Sequence, residues 1–418
     1  MKIKKKLDIL IISRIYSSEF GGGLATHVGY LAEALHKMTL TSMSKPKICK
    51  VHVFTTSEKE GKQKEQDEGK PPNLIIHLFP GKAGHFPSLG DVPSEEVVKY
   101  GFDNWGKIKP DVIHAHDFES VLIGLMFKTA FKVPLVVTIH RTPKEWDPTL
   151  PQRDLKDCFL KAMLDFNIVD KFIAPSDAYK RSLLERNCPK KKIEKIPHGI
   201  PVGKLIKSPN VPNVLQRLNI EKTQELILCP SRLDPHKSIE TFIDAAALVK
   251  KALPNRNIVF AVAGGSGPAC YRKKLEQQVQ NLSMETVIRL GPSNSEDLHP
   301  TEMPTLYRQA KICVLPSQRE GFGQALLEAF VHKKTVIASN TGGIPEVVIP
   351  NVTGLLFNRN EAHDLAFQIK TLLEDEDNKL AFGLAEEAYK QLTRKYDVTI
   401  MAQRYFELYK KVAGIAIK

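Results

Sequence analysis

The chain has 418 residues, of which 42% are hydrophobic and 26% are charged. This length fits two domains of roughly 200 residues each, and the composition excludes a disordered or fibrous protein. The net charge of +13 favours acidic partners such as nucleotide phosphates or anionic lipid headgroups. The lysine runs 4–6 and 190–192 lack interleaved aromatic residues. A solvated face or peripheral contact with an anionic membrane is therefore expected, and no nucleic-acid partner.

The opening segment MKIKKKLDILIIS combines basic residues with a short apolar run that Asp8 interrupts. This pattern predicts a first buried strand rather than a signal peptide. No window approaches the ~18 to 20 apolar residues of a membrane span. The six cysteines are scattered singly, which is typical of free thiols in a reducing compartment. We therefore predict a cytoplasmic protein.

Short apolar runs alternate with helix-length segments along the chain. The first half contains LDILII, VHVF, NLIIHLF, DVIHAH, PLVVTIH, KFIA and KIEKIP, and the second contains ELILCP, NIVFAVAGG, VIRLG, KICVLP and TVIAS. Between them, 197–224 carries four prolines and little periodicity, which is typical of a linker. The alternation predicts an α/β chain with two Rossmann-like doubly wound parallel-sheet domains, 1–200 and 201–395.

Two further segments follow from their composition and spacing. Residues 57–73 are charged, with two prolines and no large apolar residue, and are expected to form a solvated surface loop. In the segment 396–418, Met401, Tyr405 and Leu408 recur near helical spacing. This segment is predicted to be a helix that packs back on the N-terminal domain.

Glycine-rich turns follow a predicted strand in each half. They read SEFGGGLATH and AGGSGP. In parallel α/β sheets such turns open onto helix N-termini at the ligand-binding edge. The dinucleotide pattern GxGxxG fails at both, because Thr26 and Cys270 replace the third glycine, and this argues against a dehydrogenase. For the second turn, ligand binding and tight strand-to-helix packing both remain open.

Basic residues follow the first strand of the second half, in the segment SRLDPHK. Arg232 offers a planar fork and Lys237 a mobile point charge, and together they suit a diphosphate. Ordinary surface exposure is the alternative interpretation of these two residues.

The segment PSQREGFGQALLEAF places two glutamates eight positions apart at a strand-to-helix junction. A buried charge without a partner costs several kcal/mol, so Glu320 and Glu328 are expected to meet polar groups. Gly321 and Gly323 let the backbone approach a ligand, and the helix that begins near Gly323 directs N–H groups at an anion. Carboxylates beside an anion site suit a sugar attached to a nucleotide.

These motifs resemble the retaining glycosyltransferases of family 4, which have the GT-B fold: two Rossmann-like domains facing across a cleft. Glu320-GFGQALL-Glu328 resembles the E-x7-E signature of that family, and SRLDPHK resembles its arginine–lysine diphosphate site. FGGGLATHV, TGGIPEVV, NVTGLLF and PTLYRQAKICVLPS occur in the family's order. The resemblance therefore spans nearly the whole chain.

The resemblance implies roles for individual residues. Arg232 and Lys237 bind the donor diphosphate, Glu328 the ribose and Glu320 the transferred sugar, and His140 lies near the donor sugar. The implied catalytic residues are His140, Arg232, Lys237 and Glu320. The implied donor-binding residues are Gly22, Gly23, Arg232, Lys237, Gly321, Phe322, Gly323 and Glu328.

The chain departs from the family pattern at several positions. Ser238 stands where a glycine commonly follows the lysine, and PHGIP, with His198 and Pro201, replaces the usual Asn-Gly-x-Asp turn. IHAHDFESVLIG and VVTIHRTP are also similar to glycogen and starch synthases. The lysine that those enzymes place before Gly-Gly-Leu is Phe20 here, so no glucan acceptor is assigned.

No metal site or other cofactor is predicted. His114 and His116 share one face of a strand, but the sequence identifies no third ligand. Asp375 and Asp377 lie in LLEDEDNKL, which is typical of an exposed helix junction. Enzymes of the resembled family use the basic pair in place of a catalytic metal.

Trp146 lies in the loop after His140. A flat indole stacks well on a sugar ring, and Trp146 is therefore a candidate for the acceptor site. Packing beneath the following helix is the alternative.

Together the motifs predict a metal-independent glycosyltransferase that moves a sugar from a nucleotide diphosphate to an acceptor hydroxyl with retention. The acceptor class, whether carbohydrate, glycolipid or small molecule, stays open, as does the nucleotide base. The alternatives are a phosphorylase of the same fold, a catalytically silent sugar-nucleotide-binding subunit, and a nucleic-acid-binding protein.

Overall fold

The chain folds into two compact units. The structure is a computed structural model that describes residues 6–13, 16, 23–41, 47–57, 73–80, 95–140, 160–164, 167–265, 267–291 and 298–415. The first unit comprises Met1–Gly199 and Val398–Lys418, and the second comprises Ile200–Asp397.

The first unit contains a parallel sheet, which has seven strands among the described residues. The strands are β1 (Lys6–Ile12), β2 (Lys47–Ser57), β3 (Leu74–Pro80), β4 (Val112–His116), β5 (Leu135–Thr138), β6 (Lys171–Ala174) and β7 (Ile193–Lys195). Their spatial order is β3-β2-β1-β4-β5-β6-β7. The register pairs His114 with Ile11 on one side and with Val136 on the other. The carboxyl ends of β1, β4 and β5 therefore lie side by side.

Helices cover this sheet and complete two hydrophobic clusters. Their bounds are Gly23–Thr41, Glu95–Asp103, Trp105–Ile108, Asp117–Phe131, Asp177–Leu184 and Val398–Val412. In the first helix Val28, Leu31, Ala32 and Leu35 recur at helical spacing and are fully buried, which gives it one apolar face. The last helix places Tyr405 in the same cluster as that face. It belongs to the first unit for this reason, although it lies at the other end of the chain.

The second unit contains a parallel sheet with six strands among the described residues. The strands are β8 (Glu225–Pro230), β9 (Ile258–Ala263), β10 (Ile288–Leu290), β11 (Ala310–Leu315), β12 (Thr335–Ser339) and β13 (Leu355–Phe357). Their order is β10-β9-β8-β11-β12-β13. Nearly every residue of β8, β9, β11 and β12 is buried, as expected for parallel strands covered on both faces.

The helices of the second unit precede, separate and follow its strands along the chain. Their bounds are Val202–Ile206, Val214–Arg217, Ile239–Ala252, Ala269–Asn281, Met303–Gln309, Gln324–Val331, Ile344–Val347, Ala362–Leu373 and Lys379–Gln391. The first two fall inside the predicted linker 197–224. They have five and four residues, too few to produce a visible helical period.

Among the described residues, no helix is both long and apolar enough to cross a bilayer. Cys188, Cys229, Cys270 and Cys313 are free thiols, in agreement with the sequence analysis for these four. The predicted surface loop 57–73 lies almost entirely outside the described residues.

Candidate functional site

The loop after β8 is held against the glycine turn after β9. A Cβ atom on Gly264 would lie 2.4 Å from the Ser231 carbonyl oxygen, and one on Gly267 would lie 1.4 Å from that of Leu233. The Leu233 amide also donates to the Gly265 carbonyl oxygen at 3.2 Å. Only glycine permits this approach, so close packing accounts for the AGGSGP turn. The turn thereby supports the neighbouring loop 231–237.

Asp234 organises the basic residues of that loop. Its carboxylate lies 2.5 Å from Nδ1 of His236 and 3.6 Å from the Arg232 guanidinium. Burial opposes ionisation of Asp234, but hydrogen bonding to His236 and the nearby positive charges outweigh it and lower the pKa of the carboxyl. The Arg232 side chain is 46% exposed. Its guanidinium is therefore accessible to an anion from solvent.

Lys237 and Glu320 form an ion pair across 83 positions of sequence. The Lys237 ammonium donates to Oε2 of Glu320 at 2.6 Å, and the two side chains are only 18% and 17% exposed. The Ser317 hydroxyl donates to the same oxygen at 3.2 Å. Burial raises the pKa of Glu320, but the charge and hydrogen bond of Lys237 more than compensate and lower it overall. The structure thus brings together two residues that the sequence assigned to one site.

Backbone contacts hold the Glu320 loop in place. The Gly343 amide donates to the Glu320 carbonyl oxygen at 3.0 Å. At Gly342, φ is +53° and a Cβ atom would lie 1.9 Å from the same oxygen. The Gln318 amide donates to the carbonyl oxygen of His236 at 2.8 Å. The TGGIPEVV motif and the 3-10 turn Pro235–Lys237 therefore both hold the loop that carries Glu320.

Ser238 adopts a backbone conformation that glycine would adopt more easily. Its φ is +47°, in the left-handed region that disfavours residues with a Cβ atom. Its hydroxyl donates to Oδ1 of Asn360 at 3.1 Å. This geometry explains why the family pattern places a glycine here, and the hydrogen bond helps the chain to accommodate serine.

The helix that follows the Glu320 loop begins next to Gly323, as the sequence predicts. Gly323 has φ +85° and precedes the helix Gln324–Val331. Phe322 is buried and packs edge-on against Tyr396, with ring centroids 5.7 Å apart. Both amide atoms of Gln324 are buried without a hydrogen-bond partner among the described residues. The donor-binding roles of Gly321, Phe322 and Gly323 stay predictions.

Glu328 lies more than one turn inside that helix and contacts Tyr307. The Tyr307 hydroxyl donates to Oε2 of Glu328 at 2.9 Å. Burial raises the pKa of Glu328 to about 7, despite the opposing effect of this hydrogen bond. Tyr307 lies within the motif PTLYRQAKICVLPS, but sequence reasoning gave it no role. The motif match was the only signal, since the contact joins two different helices.

Histidines converge at the carboxyl edge of the first unit's sheet. His140, just after β5, has its backbone amide bonded to Oδ1 of Asp117 at 2.8 Å, and its carbonyl oxygen accepts from the Tyr179 hydroxyl. Nε2 of His140 lies 2.9 Å from Nδ1 of His116. His27, on the first helix, completes a group of three histidines. One ring nitrogen of each lies within 4.8 Å of the chosen nitrogens of the other two.

The sequence pattern places His114 and His116 on one face of a strand, but His114 is not a member of this group. His114 instead has both ring nitrogens engaged, 2.6 Å from the Tyr409 hydroxyl and 2.8 Å from Oγ1 of Thr138. His27, the remaining member of the group, lies on a helix. A strand pattern therefore does not reveal it. The pair Asp375 and Asp377 is a helix junction, where Asp377 contacts Lys379 at 2.8 Å.

Three sequence-predicted residues remain to be located. Gly22 and Trp146 lie outside the described residues. Gly23 is exposed and begins the helix Gly23–Thr41.

Two family models match the chain and together cover most of it. Residues 21–204 match the model described as Glycosyltransferase Family 4, and residues 211–391 match Glycosyl transferases group 1. The chain belongs to the family 4 glycosyltransferases. The family predicted from the motifs is therefore confirmed, whereas the E-x7-E signature itself is not tested by these matches.

Curated relatives are about a quarter identical to this chain over the aligned residues. A D-inositol 3-phosphate glycosyltransferase of Kineococcus radiotolerans is 26% identical over 290 residues, 65% of this chain and 66% of the relative. That of Thermobispora bispora is 27% identical over 281 residues, 65% and 64% respectively. The match spans about two thirds of the length of these relatives.

Solved structures of low sequence identity share the fold. A sucrose-phosphate synthase from Thermosynechococcus elongatus superimposes with a TM-score of 0.77 at 22% identity, over 99% of this chain and 100% of that one. Anabaena HepE in complex with UDP and glucose has a TM-score of 0.72 at 20% identity, over 97% and 100%. The predicted GT-B class, with two parallel-sheet α/β domains, is confirmed.

Proposed function

We propose that this family 4 glycosyltransferase moves a sugar from a nucleotide-diphosphate sugar to an acceptor hydroxyl, with retention of anomeric configuration. The observation that carries the proposal is the Lys237–Glu320 ion pair at 2.6 Å, next to the accessible guanidinium of Arg232. The Lys237 ammonium, which suits a phosphate, and the Glu320 carboxylate, which suits a sugar hydroxyl, are joined by one hydrogen bond.

The diphosphate would bind to Arg232 and Lys237, with N–H groups at the start of the helix Gln324–Val331 as additional donors. These groups would also stabilise the negative charge that develops on the leaving diphosphate. They supply the positive charge that a divalent ion supplies elsewhere. We therefore expect nucleoside diphosphate affinity to be unchanged by EDTA, and a loss restored by Mg²⁺ or Mn²⁺ would contradict this expectation.

The sugar and the ribose would each be bound by one carboxylate. Glu320, held by Lys237 and Ser317, would accept hydrogen bonds from the transferred sugar, and Glu328 from the ribose. UDP-sugars are the first donors to test, because one structural neighbour is in complex with UDP-glucose and another is bound with UDP-2-fluoro glucose.

The acceptor hydroxyl would attack from the same face that the diphosphate leaves, with His140 near the donor sugar. Among the described residues near these motifs, no side chain is placed as a strong nucleophile. Sugar and polyol phosphates form the first acceptor set to test. Several relatives and neighbours are named for an inositol phosphate, a sucrose phosphate or a trehalose phosphate.

A thermal-shift screen against UDP-, GDP- and ADP-sugars tests the proposal. A ligand at 100 times its dissociation constant stabilises the folded chain by about 2.7 kcal/mol. One class of nucleotide sugar should raise the melting temperature of the wild type and fail to raise that of Arg232→Ala. No shift with any nucleotide or nucleotide sugar would count against the proposal.

Product analysis separates the alternatives. A phosphorylase would require inorganic phosphate as the sugar acceptor, and a silent subunit would bind donor without turnover. Filter binding at physiological salt would reveal a nucleic-acid partner, which we do not expect. Cytoplasmic location and peripheral contact with anionic membranes remain proposals, which cell fractionation and vesicle sedimentation would test.

A further inference from the structure

The histidine group at the carboxyl edge of the first sheet has the chemistry of a metal site. His27 and His116 are fully buried and His140 is partly buried, and one ring nitrogen from each lies within 4.8 Å of the others. Neither ring nitrogen of His27 has a hydrogen-bond partner among the described residues, and the same holds for Nε2 of His116. A buried polar atom without a partner is costly, and at His27, unlike at His36, two further imidazole nitrogens lie close enough to share a ligand with it.

The distances suit a tetrahedral first-row ion. Two nitrogens that each lie 2.0–2.1 Å from one Zn²⁺ are about 3.3 Å apart. Nδ1 of His116 lies 2.9 Å from Nε2 of His140, a contact that a bound ion would replace. The third nitrogen is no more than 4.8 Å from either, so movements on the order of 1 Å would complete the geometry.

The surroundings also favour a cation. The buried carboxylate of Asp117, bonded to the His140 backbone at 2.8 Å, supplies a negative charge beside the group. The same hydrogen bond fixes the backbone that carries the His140 ring.

We propose that His27, His116 and His140 bind one divalent transition-metal ion, with Zn²⁺ as the natural occupant. Imidazole ligands suit Zn²⁺ and its congeners rather than Mg²⁺ or Ca²⁺. Three protein ligands leave a fourth position for water or a hydroxyl. All three ligands belong to the first unit. It stands whether or not the proposed transfer activity is found.

Cobalt substitution tests the site directly. The tag-free chain is stripped with a chelator, dialysed and titrated with Co²⁺, whose visible absorption reports tetrahedral coordination. Zn²⁺ is titrated separately by calorimetry. We expect one equivalent of each ion per chain, with micromolar or tighter affinity. His27→Gln and His116→Asn should each weaken binding at least tenfold while circular dichroism remains that of the wild type.

His36 provides the matched control. It lies on the same helix as His27, is buried, and has no hydrogen-bond partner for either ring nitrogen among the described residues. His36→Asn should therefore bind Co²⁺ as the wild type does.

Melting temperature gives a second measurement if a variant folds poorly. Zn²⁺ should raise the melting temperature of the wild type and of His36→Asn, but not that of His27→Gln. The proposal is overturned if the folded wild type takes up no stoichiometric Co²⁺. It is equally overturned if both cluster variants bind the ion like the wild type, or if the control loses binding with them.

Discussion

Replacing Lys237 with methionine should remove the cation that we assign to the donor diphosphate. A hydrogen bond to a charged group contributes about 1.5 to 3 kcal/mol, so UDP affinity should fall by roughly 12- to 150-fold. Methionine keeps the length of the apolar stem and deletes the ammonium. Lys379→Met, at a side chain that is 81% exposed in the same unit, is the control and should bind UDP as the wild type does.

Removing the carboxylate of the ion pair should have the opposite effect on UDP affinity. In Glu320→Gln the Lys237 ammonium no longer shares its charge with a carboxylate 2.6 Å away. UDP, which lacks the sugar, should then bind at least as tightly as it binds to the wild type. Isothermal titration calorimetry with UDP measures all the variants. Equal affinity of Lys237→Met and wild type, or an equal loss in Glu320→Gln, would refute the assignment of Lys237 to the diphosphate.

Three further predictions address the rest of the site. Burial raises the pKa of Glu328 to about 7, so a ribose-binding carboxylate becomes ionised as the pH rises through 7. UDP affinity should therefore fall up to about fivefold between pH 7 and pH 6. Titrations at both pH values should lose this component in Glu328→Gln, and an identical pH dependence in the variant would exclude the role. Gly342→Ala introduces a Cβ atom 1.9 Å from the Glu320 carbonyl oxygen and should lower both melting temperature and UDP affinity. Gly383→Ala, in a helix with no atom near the added methyl, should stabilise by about 0.5 to 1 kcal/mol, and similar behaviour of the two variants would contradict the steric argument. Trp146→Ala should raise the acceptor Michaelis constant and leave UDP affinity unchanged if the indole stacks on the acceptor. A fall of about 3 to 5 kcal/mol in stability, without an acceptor-selective defect, would identify Trp146 as a packing residue.

The pH dependence of stability at Glu320 has the opposite sign to that at Glu328. The pKa of Glu320 is lowered in the folded chain. Its contribution to the free energy of unfolding is therefore present above the usual glutamate pKa and is lost as the pH falls through the pKa of the folded chain. The pKa of Glu328 is raised, so its contribution is present below the usual value and is lost as the pH rises through about 7. Calorimetric melts of the two Glu→Gln variants between pH 4 and pH 8 measure both trends.

The parallel sheets were predictable because buried parallel strands have a simple signature. Runs such as ELILCP and KICVLP are almost continuously apolar, and both form fully covered strands of the second sheet. Strand ends in such sheets share one edge, so the sequence was able to assign Arg232, Lys237 and Glu320 to one site. The family resemblance then supplied the roles, which the strand pattern alone does not contain.

The specific contacts could not be predicted, because they depend on how separate loops meet. No local pattern relates Tyr307 to Glu328, which lie on different helices and meet only when both pack on the sheet. In the sequence His27 belongs to the glycine-rich segment SEFGGGLATH, whereas in the structure it lies on a helix and its ring meets His116 and His140. The sequence of the AGGSGP turn is compatible with either ligand binding or packing. Its packing role is identified by the structure, where a Cβ atom added at Gly267 would lie 1.4 Å from the Leu233 carbonyl oxygen.

Donor turnover tests the central claim most directly. Wild type and Glu320→Gln are incubated with UDP-glucose, then with the other nucleotide sugars that shift the melting temperature, each with and without sugar phosphate acceptors. Release of the nucleoside diphosphate and formation of the glycosylated product are followed over time. We predict that the wild type releases diphosphate in step with an α-configured product from an α-configured donor, and that Glu320→Gln releases little. Turnover that is equal in the two proteins, or an inverted product, would contradict the account.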